Sequence, residues 1–148
     1  DDVEALDELY RLTREEVART LHQLTGQRTG LQRLVTDVYL ALGRELDPSR
    51  DTSLRHELRR RCVQVARREL GRWRREEPDG SDALSALHRE LAATSPRARI
   101  AFVLAHVAGW STEEIAAATD EAPRTVMTLL EQARVALTRA LQSHEERS

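Results

Sequence analysis

Arginine is the most prominent source of chemistry in this chain of 148 residues, and it is concentrated in one segment. Nine arginines lie between residues 54 and 75: Arg55, Arg59, Arg60, Arg61, Arg67, Arg68, Arg72, Arg74 and Arg75. Only Glu57 and Glu69 offset their charge within that segment. A strip of guanidinium groups attracts phosphates and gains affinity by releasing counterions from nucleic acid. A solvated helix face has a similar pattern, but with so little compensation we favour a binding face.

The other reactive residues show no arrangement that indicates catalysis or metal binding. The five histidines share no ligand spacing with one another or with Cys62, the one cysteine, so we expect no metal site. A glycine-rich phosphate loop is missing from the sequence, and the carboxylates lie where they stabilise helices. We therefore expect no enzymatic activity, no cofactor and no small-molecule substrate.

The amino-acid composition limits the classes of protein to which this chain can belong. Hydrophobic residues make up 40% of the chain and aromatic residues only 3%, so the core must be aliphatic, which favours packed helices. A lone cysteine cannot form an internal disulfide and suits a reducing compartment. The apolar runs all fall short of the roughly 20 residues that a membrane span needs, so we expect a cytoplasmic protein without a membrane partner. The net charge of −2 argues against a uniformly basic nucleic-acid binder but allows a local basic face.

The elements that must position these residues are helices, because apolar residues recur at helical spacing almost throughout. Three helices are predicted in the first half. The first ends at Gly26, the second ends near Pro48, and the third begins near Thr52 or Ser53. The polar segment 76–82 contains a proline and a glycine, which indicates a linker. The predicted organisation is all-α, with one module at residues 1–75, a linker at 76–82 and a second module at 83–148.

Strong helix-start signals mark the second module. Ser95 followed by Pro96 is an N-cap with proline at the first helical position. Ser111 and Glu114 form a capping box before a short helix, and Pro123 opens a long last helix. A short helix, a tight turn and a longer helix is the layout of a helix-turn-helix, although a plain helical hairpin has the same pattern.

This second module is similar to a known family. Residues 84–141 resemble the C-terminal, −35-reading domain of extracytoplasmic-function sigma factors. The resemblance is carried by Ala86, Leu87, Arg99, Leu104, Gly109, Ser111, Glu114, Ile115, Ala116, Thr125, Val126, Leu130, Ala133, Arg134 and Leu137. Residues 5–75 resemble the family's N-terminal, −10-reading domain, notably at 34–39 and in the basic run that begins at 65–67. The resemblance implies two helical modules that bind RNA polymerase core and promoter DNA.

Some positions depart from the family pattern. On the last helix, Met127, Leu129, Glu131 and Gln132 stand where the family has basic or small polar residues that face DNA. In the first module, Arg33 stands where the family has an acidic residue that faces the polymerase, and Arg61 lies near the place of an aromatic residue used in promoter opening. Charge reversal at an interface disfavours the original partner, so these departures bear on function.

The predicted contact residues follow from the arginine strip, from the family resemblance and from the positions that depart from the family pattern. DNA contacts are expected at Arg67, Arg68, Arg72, Arg75, Arg124, Thr125, Thr128 and Arg134. Contacts with polymerase or another partner are expected at Arg33, Asp37, Met127 and Leu129. On the last helix, Val126 and Leu130 fit the core stripe, whereas Met127 and Leu129 are expected to lie off it and to be exposed.

Three functions remain open, and the first two belong to different classes. The leading hypothesis is a sigma-factor-like regulator that acts in transcription initiation. The alternative is a sigma mimic that binds an anti-sigma factor or another regulator without promoter recognition; a purely structural bundle is the third. The predicted linker spans at most roughly 25 Å, whereas promoter elements about 17 base pairs apart are separated by on the order of 60 Å. We therefore predict that the two modules contact each other in the free protein.

Overall fold

The computed structural model describes residues 2–45, 53–72, 80 and 82–147. The described residues form α1 (Asp2–Thr25), α2 (Leu31–Glu45), α3 (Leu54–Arg72), α4 (Ala83–Glu90), a 3-10 turn (Leu91–Ala93), α5 (Pro96–His106), α6 (Thr112–Thr119) and α7 (Pro123–Arg147), with no strand among them. This confirms the all-α prediction. Most of the predicted linker, together with Pro48 and Thr52, lies outside the described residues. None of the helices described is both long and apolar enough to cross a membrane.

Helices α1 to α3 form an N-terminal bundle around an aliphatic core. Its buried residues lie at helical spacing and include Val17, Leu21, Leu24, Leu34, Val38, Leu42, Leu58, Cys62, Val65 and Ala66. The first helix ends as predicted at Gly26, which takes a φ of +71° that side chains disfavour. Between α1 and α2, the hydroxyl groups of Thr13 and Tyr39 lie 2.6 Å apart, which ties the two helices together at the edge of the core.

Helices α4 to α7 form a C-terminal bundle whose helix starts match the local signals in the sequence. At the start of α5, the Ala98 N–H donates to Ser95 Oγ at 3.2 Å. The predicted capping box is present: the Glu114 N–H donates to Ser111 Oγ at 3.1 Å, and the Ser111 N–H donates to Glu114 Oε1 at 3.0 Å. Helix α6 ends at Asp120, which adopts a left-handed conformation with φ of 56°. Helix α6, this tight turn and α7 are the predicted helix-turn-helix.

The two bundles pack against each other, as the short linker predicts. Helix α3 lies against α5 and α6, and α1 also contacts α5. The arginine strip lies on α3. One side of this helix faces the C-terminal bundle, and the other side faces solvent. That difference decides what each arginine can bind.

Candidate nucleic-acid and partner interface

Two arginines of α3 are held by the helix-turn-helix. Arg59 Nη1 donates to Glu114 Oε2 at 2.8 Å, and the Arg59 guanidinium lies 4.3 Å from the centre of the Trp110 ring. Arg60 Nη2 donates to Asp120 Oδ2 at 2.8 Å. Because Glu114 lies at the start of α6 and Asp120 at its end, α3 holds this helix at both ends. A backbone N–H at the helix start, and then Arg59, lower the pKa of Glu114 to about 2.

Two other arginines of α3 face α2. Arg61 is buried, and its Nη1 donates to Gln64 Oε1 at 3.1 Å. Arg68 Nη2 donates to Asp37 Oδ2 at 3.3 Å, which joins a predicted DNA contact to a predicted partner contact. Together with Arg44, these side chains line a pocket of about 230 Å³ between the two helices. Guanidinium groups around a small polar pocket suit a phosphate or a carboxylate.

More of the positive charge of the arginine strip is paired with carboxylates than the sequence of this segment indicates. Four carboxylates from other helices pair with it: Glu16 with Arg55, Asp37 with Arg68, Glu114 with Arg59 and Asp120 with Arg60. Glu57 and Glu69 are the only acidic residues within the segment itself, and the four further partners lie far away in the sequence. Arg67 is exposed, where phosphates can reach it. The Arg72 side chain and the whole of Arg75 lie outside the described residues, so their DNA contacts stay predictions.

The start of α7 presents the predicted DNA contacts of the helix-turn-helix to solvent. Arg124 and Thr128 are exposed one turn apart, and Thr125 between them is half-buried. The Thr128 hydroxyl donates to the Arg124 carbonyl at 3.2 Å, so its oxygen is left to accept a hydrogen bond. Arg134 lies further along the helix, where its Nε donates to Glu131 Oε2 at 2.9 Å. This hydrogen bond lowers the pKa of Glu131, and its carboxylate weakens the attraction of Arg134 for phosphate.

The two apolar residues predicted to be exposed on α7 have different surroundings. Met127 is 65% exposed, as expected, whereas Leu129 is only 6% exposed. The expectation for Leu129 was wrong: it shares a narrow cleft with Val63 and Arg67 of α3. Helix α7 packs on its own bundle and also reaches α3, so its buried face is wider than the stripe around Val126. In this arrangement Leu129 faces another part of the same chain.

The two predicted partner contacts on α2 are both bound to α3. Arg33 Nη2 donates to Glu69 Oε1 at 2.9 Å, with the Arg33 side chain 51% exposed and the Glu69 side chain 2% exposed. Asp37 accepts from Arg68, as described above. Each residue therefore ties α2 to α3, and its role toward a polymerase stays a prediction.

A buried histidine that showed no ligand spacing in the sequence lies where the two bundles meet. His88 of α4 has no exposed surface, and its Nε2 lies 2.7 Å from the Gln23 carbonyl oxygen of α1. Arg99 Nε of α5 donates to His88 Nδ1 at 2.8 Å. Since arginine can only donate, Nδ1 must accept, and Nε2–H therefore donates to Gln23. The ring lies so close to Gly26 that a Cβ there would come within 2.7 Å of it.

The surroundings of His88 favour its neutral form. Burial, and then the charge of Arg99, lower the pKa of His88 to about 4. Burial also lowers the pKa of Arg99 to about 10. The only indication in the sequence is that a histidine stands within the apolar stripe of Leu84, Leu87 and Leu91.

Comparison with a family model identifies the C-terminal bundle. Residues 84–137 match the model described as Sigma-70, region 4. The helix-turn-helix therefore lies within the part of the chain that is similar to sigma-70 region 4, and the resemblance stated for this half of the chain is confirmed. Comparison with curated protein sequences found no match.

Two solved structures share the fold of the whole chain. CnrH, solved in complex with the cytosolic domain of CnrY, is 23% identical; the similarity covers 95% of this chain and 89% of that one, with a TM-score of 0.71. The sigma factor RpoE, solved in complex with the anti-sigma factor NepR from Bartonella quintana, is 19% identical; the similarity covers 94% of this chain and 98% of that one, with a TM-score of 0.64. The predicted sigma-factor fold is thus confirmed over nearly the full chain.

Proposed function

We propose that this chain, whose C-terminal bundle is similar to sigma-70 region 4, is a sigma-factor-like regulator that acts in transcription initiation through RNA polymerase and promoter DNA. The observation that carries the proposal is the helix-turn-helix with its capped first helix and its second helix open to solvent at the start. The role is one of binding, so it requires no catalytic group and no cofactor. It places the protein with the DNA in the cytoplasm.

The start of α7 is the part that would enter a major groove. The helix dipole and the backbone N–H groups of a first helical turn favour a phosphate there, and Arg124 and Thr128 add two exposed polar side chains. Met127 and Glu131 on the exposed surface supply no donor. Few phosphate contacts mean weak binding by this domain alone, because counterion release dominates the affinity. A second attachment through polymerase raises the local concentration of the domain at the DNA and offsets this weakness.

The N-terminal bundle would supply that second attachment. We propose that residues 1–75 bind the polymerase and upstream promoter DNA, that residues 83–148 bind the −35 element, and that 76–82 links them. Arg67 is exposed, and Arg68 also remains exposed although it pairs with Asp37. Both side chains therefore suit contacts to the DNA backbone. Arg33 and Asp37 on α2 are the residues that we propose for the contact with polymerase.

The test compares two variants of α7 in complex with purified core RNA polymerase. Arg124→Ala with Thr128→Ala should weaken promoter binding at least tenfold and should flatten the dependence of affinity on salt, because a phosphate contact is lost. Arg139→Ala removes an equal charge from an exposed position further along the same helix and should have little effect. Equal binding by both variants would show that the start of α7 does not touch DNA.

The sigma mimic remains a second candidate because of a specific observation. The strip is engaged by the chain's own carboxylates, and RpoE, which shares the fold, was solved with an anti-sigma factor. A mimic would bind such a protein partner and would not bind core polymerase. Direct titration of the purified chain with core polymerase separates the two: a sigma-factor-like regulator binds, whereas a mimic does not.

A further inference from the structure

A small polar pocket between α2 and α3 brings three guanidinium groups together. Arg44 of α2 and both Arg61 and Arg68 of α3 line this pocket, whose volume is about 230 Å³. Among the described residues that line it, Asp37 is the one carboxylate. Like charges that share one small pocket repel one another, and an anion between them relieves that repulsion. The pocket therefore favours a negatively charged occupant.

Arg61 supplies a fixed charge on the wall of the pocket. Its side chain is only 10% exposed, and its Nη1 donates to Gln64 Oε1 at 3.1 Å. Its Nη2 lies 3.6 Å from Glu57 Oε2, but Glu57 also pairs with Arg60, so one carboxylate is shared between two guanidinium groups. A guanidinium group stays protonated in proteins. Arg61 therefore keeps its positive charge where water screens it only weakly.

Arg44 and Arg68 are placed to donate hydrogen bonds to an anion in the pocket. Arg44 is exposed, and the Arg68 side chain is 59% exposed. The hydrogen bond from Arg68 to Asp37 is 3.3 Å long and uses one of the five N–H groups of a guanidinium. Because both side chains are exposed, they can turn toward an occupant without disturbing the core. Guanidinium groups bind phosphate oxygens through paired hydrogen bonds, which adds geometric selectivity to the attraction of charge.

Charge and size together select the kind of anion. The three arginines and Asp37 give the pocket three positive charges and one negative charge, which leaves two positive charges. A terminal phosphate carries about 1.5 to 2 negative charges near neutral pH. A phosphate within a nucleic-acid backbone carries a single charge and has a sugar on each side. The pocket is also smaller than the roughly 300–1,000 Å³ of sites that enclose a whole drug-sized ligand. It therefore fits a phosphate head group, with the rest of the molecule in solvent.

We propose that this pocket is a binding site for a small molecule with a terminal phosphate, held by Arg44 and Arg68 and attracted by the fixed charge of Arg61. Asp37 lies beside the phosphate and lowers its affinity by repulsion. The site goes beyond the proposed function, which requires no small ligand. Arg44 is not among the predicted DNA contacts, so its substitution tests the pocket apart from that function.

The test is a calorimetric titration of the full chain with methyl phosphate at pH about 7.5, where this monoester carries two charges. Chloride keeps the ionic strength constant. Dimethyl phosphate is the matched probe, because it is a diester with a single charge, as in a nucleic-acid backbone. We expect one equivalent of methyl phosphate to bind, and dimethyl phosphate to bind at least about tenfold more weakly. Equal binding of the two esters would overturn the assignment to a terminal phosphate and would point to the DNA backbone instead. Methyl phosphate binding that does not saturate would overturn the site itself.

Three variants locate the bound ester. Arg44→Gln and Arg68→Gln should each weaken methyl phosphate binding by about threefold to thirtyfold, because a charge and its donors are lost. Asp37→Asn should tighten it by roughly twofold to tenfold, because the repulsion is removed while the amide oxygen still accepts from Arg68. The control, Arg14→Gln, changes an exposed arginine of α1 that does not line the pocket, and it should bind like the parent.

Thermal unfolding checks that each variant is folded, and the four positions are exposed or half-buried. Affinity that stays at the parent value in both Arg44→Gln and Arg68→Gln would overturn the site. An equal loss in Arg14→Gln would overturn it too, because the ester would then respond only to the net charge of the protein. Weaker binding by Asp37→Asn would contradict the proposed place of the phosphate beside this carboxylate.

Discussion

Acid should loosen the contact between the two bundles through His88. The ring accepts a hydrogen bond from Arg99 at Nδ1 and donates one from Nε2 to Gln23. Protonation places an N–H on Nδ1, directly against the N–H and the charge of Arg99. The folded protein therefore resists protonation of this ring, whereas the unfolded chain accepts the proton readily.

The size of the effect follows from the gap between the two pKa values. The pKa of His88 falls from 6.5 to about 4 on folding, so each unit of the gap contributes about 1.4 kcal/mol. Because the unfolded state binds the proton first, stability is complete above about pH 6.5 and is lost as the pH falls toward 4. The loss is about 2 kcal/mol at pH 5 and roughly 3 kcal/mol at the end of this window. The pKa of Glu114 is lowered to about 2, so its contribution persists above about pH 4.5 and does not enter the comparison at pH 5.

Urea denaturation at about pH 7 and pH 5 measures this loss. The parent should lose about 2 kcal/mol between the two conditions. His88→Gln keeps a neutral acceptor and donor, so it should lose far less, although its stability at neutral pH starts lower because the packed ring is gone. His56→Gln on α3 is the matched control and should lose as much as the parent. The same loss in His88→Gln as in the parent would refute the reasoning.

Three further predictions concern packing and reactivity. Leu129→Ala should lower the free energy of unfolding by about 2–4 kcal/mol, because the side chain is buried, whereas Met127→Ala should change it by less than about 0.5 kcal/mol. Chemical denaturation measures both, and a larger loss for Met127→Ala would contradict the burial of Leu129 in the cleft against α3. Gly26→Ala should destabilise more than Gly30→Ala in thermal unfolding, because both have positive φ but only the first meets the His88 ring. Cys62 should resist iodoacetamide in the folded protein and react once urea unfolds it, because burial raises the pKa of its thiol to about 12.

Local signals explain why the helix-turn-helix could be predicted from the sequence. Ser95 with Pro96 and Ser111 with Glu114 each act within one turn of helix, so their geometry follows from neighbouring residues alone. Gly26 ends α1 for a similarly local reason. The ends of these helices are therefore set by neighbouring residues and not by contacts with distant parts of the chain.

The state of the arginine strip depends on contacts between distant residues. Arg59 and Glu114 are 55 residues apart, and Arg60 and Asp120 are 60 apart, so no local pattern indicates that they pair. Leu129 was misplaced for the same reason: helical periodicity locates the face toward its own bundle, but the cleft against α3 exists only once the bundles pack. Packing of the bundles therefore decides which predicted contact residues remain accessible.

The most direct test of the proposed function is transcription from a library of promoter-length DNA by purified core RNA polymerase from the native host, with and without this protein. The account predicts transcripts that start at a defined set of sites only when the protein is present. Those transcripts should be lost with Arg124→Ala and Thr128→Ala together and retained with Arg139→Ala. A protein that binds neither core polymerase nor any library sequence, and that directs no new start site, would contradict the account and leave the sigma mimic in its place.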